Sequence, residues 1–142
     1  MSFISSQSEQ WPQLLSRYCE SRPSPAAQFW GAEQIVNAHQ HHKIGGLMVA
    51  GELTAFVIYQ VCQGILEVLY LETAPAFRGQ GLMKRCLKAL MGEEGCEELW
   101  LEVHESNWQA IKFYEDFGFS LQGTRPRYYR DGGAALVLSY LK

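Results

Sequence analysis

Apolar residues change their spacing several times along the chain, and each change marks an element boundary. Across residues 10–37 they recur at irregular helical spacing, interrupted by Ser21-Arg22-Pro23-Ser24-Pro25, a run that cannot stay helical and that predicts a link between two short helices. From Ile44 the spacing becomes that of strands: residues 46–50, turn residues Gly51-Glu52, and the β-rich run 53–62 predict a hairpin. Gln63-Gly64 predicts a second turn. Residues 65–73, apolar on both faces apart from Glu67 and Glu72, then predict a third antiparallel strand, central and buried on two sides.

Pro75 ends that strand. Leu82, Met83, Cys86, Leu87, Leu90 and Met91 follow at intervals of three and four, with Lys84, Arg85 and Lys88 on the other face, so an amphipathic helix is expected and the Gly92-Glu93-Glu94-Gly95 loop should stop it. Residues 98–104 read as a strand with Leu99, Leu101 and Val103 on one side and Trp100, Glu102 and His104 on the other. Ser106-Asn107-Trp108-Gln109 has capping-box spacing, and Ala110, Ile111, Tyr114 and Phe117 form a helical stripe that ends at Gly118. Residues 119–123 and 135–141 predict two closing strands. The order is α+β, a mostly antiparallel mixed sheet flanked by helices, without internal repeat or low-complexity tract.

With 142 residues, 47% of them apolar, the chain can fill one core and not two, so residues 1–142 are expected to form a single domain. Twelve Lys and Arg against fifteen Asp and Glu give a formal charge of −3, which excludes a general polyanion-binding surface, and no nucleic-acid partner is expected. Cys19, Cys62, Cys86 and Cys96 have neither metal-ligand spacing nor disulfide-scaffold density. They read as reduced thiols of a cytoplasmic protein, Cys62 and Cys86 within apolar patterns that suggest core positions. No basic start leads into an apolar run and no 18 consecutive apolar residues occur, so neither signal peptide nor membrane partner is expected. His39, His41 and His42 lack the carboxylate or thiol neighbours of a ligand set, and no metal is expected.

Candidate chemistry begins where a strand gives way to a helix through Arg78-Gly79-Gln80-Gly81-Leu82-Met83. Two glycines there let backbone approach a ligand, and a helix start offers free N–H groups to an anion. Residues 78–88 hold four cations and no carboxylate in an acidic chain, which points to a phosphorylated ligand at this one place. The pattern lacks the Gly-Lys-Ser/Thr of nucleotide-hydrolase loops, and Met83 breaks the dinucleotide fingerprint. Elsewhere spacing alone leaves two readings open: Glu102 is a catalytic carboxylate or the solvated face of a half-buried strand, Tyr114 an acid or a core aromatic, and Tyr128-Tyr129 a binding pair or an alternating hairpin.

Arg78-Gly79-Gln80-Gly81 resembles the coenzyme A loop of the GNAT N-acetyltransferase superfamily. Together with Trp100-Leu-Glu-Val-His-Glu-Ser-Asn107, Ala110-Ile111, Phe113-Tyr114-Glu115, Gly118-Phe119, Gly123, Arg125 and Tyr128-Tyr129, it resembles the bacterial ribosomal-protein-alanine N-acetyltransferases in particular, over roughly residues 53–142. The resemblance implies a GNAT fold in which a splayed strand pair holds acetyl-CoA. It implies that Arg78, Gly79, Gln80, Gly81, Leu82 and Met83 hold the diphosphate, and that backbone of Leu71, Glu72 and Thr73 pairs with the pantetheine arm like an added strand. It further implies Glu102 as general base, Tyr114 as the acid that protonates the departing thiolate, Asn107 at the pantetheine, and Tyr128 and Tyr129 at the peptide end. Two positions depart from the pattern: Met83 stands where the loop usually ends in Gly or Ala, and Gly133-Ala134-Ala135 replaces an acidic pair. The implied reaction is acetyl transfer from acetyl-CoA to a protein α-amine, plausibly the alanine of a small-subunit ribosomal protein. Acetylation of a small amine and a non-catalytic acyl-CoA-binding module are the alternatives.

Overall fold

In the computed structural model, which describes residues 1–22 and 30–142, eleven regular elements follow one another. They are β1 (Ser2–Ile4), α1 (Trp11–Glu20), α2 (Ala32–Asn37), β2 (Lys43–Val49), β3 (Glu52–Cys62), β4 (Ile65–Thr73), α3 (Leu82–Glu94), β5 (Glu98–His104), α4 (Trp108–Phe117), β6 (Ser120–Arg125) and β7 (Ala135–Leu141). The predicted link between the first two helices falls largely on residues 23–29, outside the described residues.

All the strands join one sheet in the order β1-β2-β3-β4-β5-β7-β6, antiparallel everywhere except between β4 and β5. Central β3 is buried on both faces. Ala55, Val57 and Tyr59 face a core filled by Leu82, Met83, Cys86, Leu87 and Leu90 of α3 and by Tyr114 and Phe117 of α4. Phe56 and Ile58 face a second core with Trp11 and Leu15 of α1 and Ile35 of α2. Helices therefore cover both sides of the sheet, and where the length predicts one core the alternating parity of one apolar strand feeds two, one on each face of the same sheet.

Three expectations need correction. Helix α3 runs through Gly92 and Glu94 and ends on Gly95, because one glycine inside a helix already packed on the sheet does not stop it. Helix α4 is capped by Asn107, whose Oδ1 accepts the Ala110 N–H at 3.3 Å, while Ser106 turns its hydroxyl to the His104 ring. Cys62 is exposed at the end of β3, where the strand has run past the core that buries Cys86. The short strand β1, pairing with β2, was not signalled by its polar surroundings.

Candidate active site

The site arises from a break in strand pairing. Strands β4 and β5 pair in register only at Ile65↔Glu98, Leu66↔Leu99 and Glu67↔Trp100. Beyond that point β4 stays bonded to β3 and β5 to β7, so residues 68–73 and 101–104 diverge. The departure coincides with a β-bulge: Tyr70 pairs with Ile58 and Val68 with Tyr59, leaving Leu69 extra. Leu66 and Val68 therefore face the α3 core, whereas consecutive Leu69 and Tyr70 both pack toward the other core. A cavity of about 840 Å³ occupies the split. Of the residues predicted for the site, Leu71, Glu102, Asn107, Tyr114, Tyr128 and Tyr129 line it.

Strand parity points Glu102 away from Leu101 and Val103, into the split. Its Oε1 pairs with the Arg125 guanidinium, 3.1 Å from Nε, and its Oε2 is buried without a hydrogen-bond partner among the described residues. Such an oxygen is costly unless something in the cavity satisfies it. Tyr114 lies in the adjoining wall, its ring packed edge-on to Phe113 and Phe119. Burial, with a smaller contribution from Tyr129, pushes its phenol well above the ordinary tyrosine range, so it keeps its proton at neutral pH. Burial, then the Glu102 charge, likewise raises the Tyr129 phenol. Asn107 uses its carbonyl oxygen as the cap of α4, which leaves its amide N–H donors for the cavity.

The glycine loop lies at the C-terminal end of β4, outside the walls of this cavity. Gly79 and Gly81 take φ of 79° and 74°, a left-handed conformation that strains any residue with a Cβ, and Gly81 serves as the N-cap of α3. Arg85 N–H bonds back to Gly81 O at 3.2 Å, while the N–H groups ahead of it have no intrahelical acceptor. Leu82 and Met83 bury their side chains in the core, so what they present to a ligand is backbone. Arg78, Lys84, Arg85 and Lys88 are exposed beside this turn. Free N–H groups, a helix dipole and cations at one place fit a diphosphate. Glu72 turns its side chain away from the split to Arg22, Tyr18 and Tyr70, so its backbone alone remains for a ligand.

With this geometry in place, similarity to known proteins is informative. The profile of the Acetyltransferase (GNAT) family matches residues 3–119. The chain belongs to this GNAT family. An N-alpha-acetyltransferase RimI of Mycobacterium tuberculosis is 30% identical over 115 residues, covering 79% of this chain and 71% of that protein. A [ribosomal protein bS18]-alanine N-acetyltransferase of Haemophilus ducreyi is 37% identical over 79 residues, 51% of this chain and 54% of that protein. The chain thus spans about half the length of several curated relatives that it matches. Among solved structures, the ribosomal-protein-S18-alanine N-acetyltransferase from Escherichia coli superposes with a TM-score of 0.77 at 25% identity, covering 99% of this chain and 92% of that one.

Within this GNAT domain the cavity also takes in residues to which sequence reasoning gave no role: Trp30, Gln60, Glu67, Trp100, His104 and Arg125. Trp100 and His104 share the face of Glu102, so parity alone carried the signal. Trp30, stacked on Tyr70 at 5.1 Å, comes from the segment before α2, and Arg125, one of the residues that carry the resemblance, reaches Glu102 from the end of β6. His39 and His41 are exposed, and His42 reaches the rim of the cavity. Among the described residues no group of three or more His, Cys, Asp or Glu side chains is placed to hold a metal ion.

Proposed function

We propose that the chain transfers the acetyl group of acetyl-CoA, the donor used by GNAT enzymes, to the free α-amine of a protein N-terminus, an alanine of a small-subunit ribosomal protein. The observation that carries this reading is the buried, unpartnered Oε2 of Glu102 in a split sheet whose other wall holds a protonated Tyr114. Glu102 takes the proton of the incoming ammonium, directly or through water. The neutral nitrogen adds to the thioester carbonyl, a backbone N–H of residues 71–73 holds the oxyanion, and the C–S bond breaks as Tyr114 O–H protonates the departing sulfur. The C–N bond replaces the C–S bond, with no covalent enzyme intermediate. Arg78, Gly79, Gln80 and Gly81 with the backbone of Leu82 and Met83 hold the diphosphate. Backbone of Leu71, Glu72 and Thr73 pairs with the pantetheine arm beside Asn107, and Tyr128 and Tyr129 flank the acceptor.

An α-amine suits a single carboxylate base. With reference pKa values near 7.8 and 10.4, deprotonation at pH 7 costs about 1 kcal/mol for an α-amine and roughly 4 to 5 kcal/mol for a lysine. One observation favours the second reading, a small amine: Gly133 and Ala134 leave no charge where the resemblance implies an acidic pair. The test incubates the purified chain with labelled acetyl-CoA and an alanine-first peptide, the same peptide with its α-amine blocked, and a panel of small amines. Transfer to the free peptide end alone supports the first reading. Transfer to small amines instead supports the second, and coenzyme binding without any transfer overturns both.

A further inference from the structure

His104, two residues beyond Glu102 on the same face of β5, is buried between partners on both ring nitrogens. Ser106 N–H and Ser106 Oγ approach Nδ1 at 3.0 and 2.8 Å, and the Asp131 carboxylate approaches Nε2 at 2.8 and 3.0 Å. A backbone N–H can only donate, so Nδ1 must carry its lone pair and Nε2 its proton, which it gives to Asp131. This fixes one tautomer of a neutral ring. The Ser106 hydroxyl, 2.8 Å from the same lone pair, donates to it as well.

Asp131 belongs to the connection between β6 and β7, the arm that carries Tyr128 and Tyr129. Its Oδ1 also accepts the Gly133 N–H at 2.8 Å, and Gly133 O in turn accepts the N–H groups of Tyr128 and Tyr129, each at 3.1 Å. The Tyr129 ring lies on the His104 ring, 4.7 Å between centroids and 26° from parallel. A Cβ at residue 133 would overlap His104 Nε2 and Cε1, so the ring fits only because that position is glycine. The carboxyl of Asp131 is held below its usual range, first by the Gly133 N–H and then by His104.

We propose that His104 is a positioning residue: with Asp131 and Gly133 it forms a latch that pins the β6–β7 arm to the end of β5 and sets Tyr128 and Tyr129 across the acceptor side of the cavity. The latch accounts for Gly133, which departs from the acidic pattern of the alanine-acetylating enzymes because a larger residue there excludes the His104 ring. The latch acts on the acceptor side and stands apart from the diphosphate loop at the end of β4. Its effect on turnover rests on the acetyl-transfer reading, whereas its effect on the arm does not.

The test uses the full chain with His104→Ala, Asp131→Ala, Asp131→Asn and Gly133→Ala. In the wild type, long-range ¹H–¹⁵N correlation should show Nε2 protonated and Nδ1 bare, and amide exchange should show Tyr128 and Tyr129 protected. Loss of one hydrogen bond to a charged group predicts roughly tenfold faster exchange at these two amides in His104→Ala and Asp131→Ala, with Asp131→Asn, which keeps an acceptor for Nε2–H, close to wild type. Acceptor KM should rise by roughly tenfold in the same two variants while coenzyme Kd stays unchanged. Because Gly133→Ala breaks the same latch, its effect should nearly vanish in the His104→Ala background. Unchanged exchange in His104→Ala, an Nδ1-protonated ring, or effects of the two substitutions that simply multiply would each overturn the latch. If the wild type acetylates no amine at all, the acetyl-transfer reading fails, and the exchange and tautomer measurements still decide the latch.

Discussion

Replacing Glu102 by Gln keeps the shape of the side chain and an oxygen for Arg125 Nε, now 3.1 Å from Oε1, while removing the charge from the buried Oε2. A positioned general base contributes about 10²- to 10⁴-fold, so kcat at pH 7 should fall by at least about a hundredfold, equivalent to about 2.7 kcal/mol of barrier. The pH dependence of the loss is more diagnostic than its size. The variant must wait for an amine that is already neutral. With a reference pKa of 7.8 that fraction rises from about 0.14 at pH 7 to about 0.94 at pH 9, roughly sevenfold. With Glu102 as the proposed base, the wild type would draw instead on the pair of ammonium and carboxylate, whose population does not rise over this interval. The ratio of wild-type to variant kcat/KM for an alanine-first peptide should therefore shrink by about sevenfold or more between pH 7 and 9. Radiolabelled acetyl transfer at subsaturating peptide measures it directly. A penalty that is the same at both pH values would mean that Glu102 acts through its charge alone, and no penalty would remove it from the chemistry.

Tyr114→Phe should lower kcat by about 100-fold or more with coenzyme Kd within about twofold, measured by steady-state kinetics and calorimetry. Because burial raises this phenol, the wild-type rate should show no tyrosine ionisation below pH 10. Gly81→Ala forces a residue with a Cβ to φ 74° and should cost about 1 kcal/mol, seen as a Tm lower by about 3 °C together with weaker coenzyme binding. Glu72→Gln should destabilise the fold by about 3 kcal/mol at pH 7 in urea melts, because it leaves the buried Arg22 guanidinium without its counter-ion. Burial alone would raise the Glu72 carboxyl, but hydrogen bonds from Arg22, Tyr18 and Tyr70 outweigh it and hold it below the usual range. A depressed folded-state pKa stabilises above the unfolded value near 4.3 and is lost as pH falls through the folded value, so wild type and Glu72→Gln should begin to converge in stability as pH drops past about 4.3 and meet only below the folded value.

The strands at residues 65–73, 98–104 and 135–141 were legible because each is an apolar run bounded by turn residues, and the structure begins and ends them at those positions. Parity within β5 separated Glu102 from the core residues beside it, and the cavity holds Glu102 and Tyr114 together. What could not be read rests on partners far apart in the chain. The Leu69 bulge depends on the register against β3, and Tyr18 meets Glu72 across 54 residues. His104 meets Asp131 across 27 residues, and a lone histidine in a strand gives no sign of a carboxylate so distant. Cys62 misled for a related reason: its apolar pattern continues past the point where the sheet stops being covered.

The split itself explains why so much of the molecule is spent on bracing. Separating β4 from β5 beyond Glu67 forgoes backbone pairing worth roughly 1 kcal/mol per hydrogen bond, and sheets close such gaps unless each strand is held from its other side. β4 is held by β3 as far as Ala55↔Thr73, and just past its end Ala74 N–H bonds Thr54 O at 2.7 Å. The Glu72 carboxylate ties the same stretch to Tyr18 of α1 and to Arg22 just past that helix. β5 is held by β7 through His104↔Ala135, and beyond it His104 fastens the connecting arm. Both rims of the opening are thus fixed by contacts that leave its inward edge untouched. The inner edge of β4 beyond Glu67 offers an extended ligand arm strand-like hydrogen bonds without displacing the pairing to β3, so binding there needs no rearrangement of the sheet.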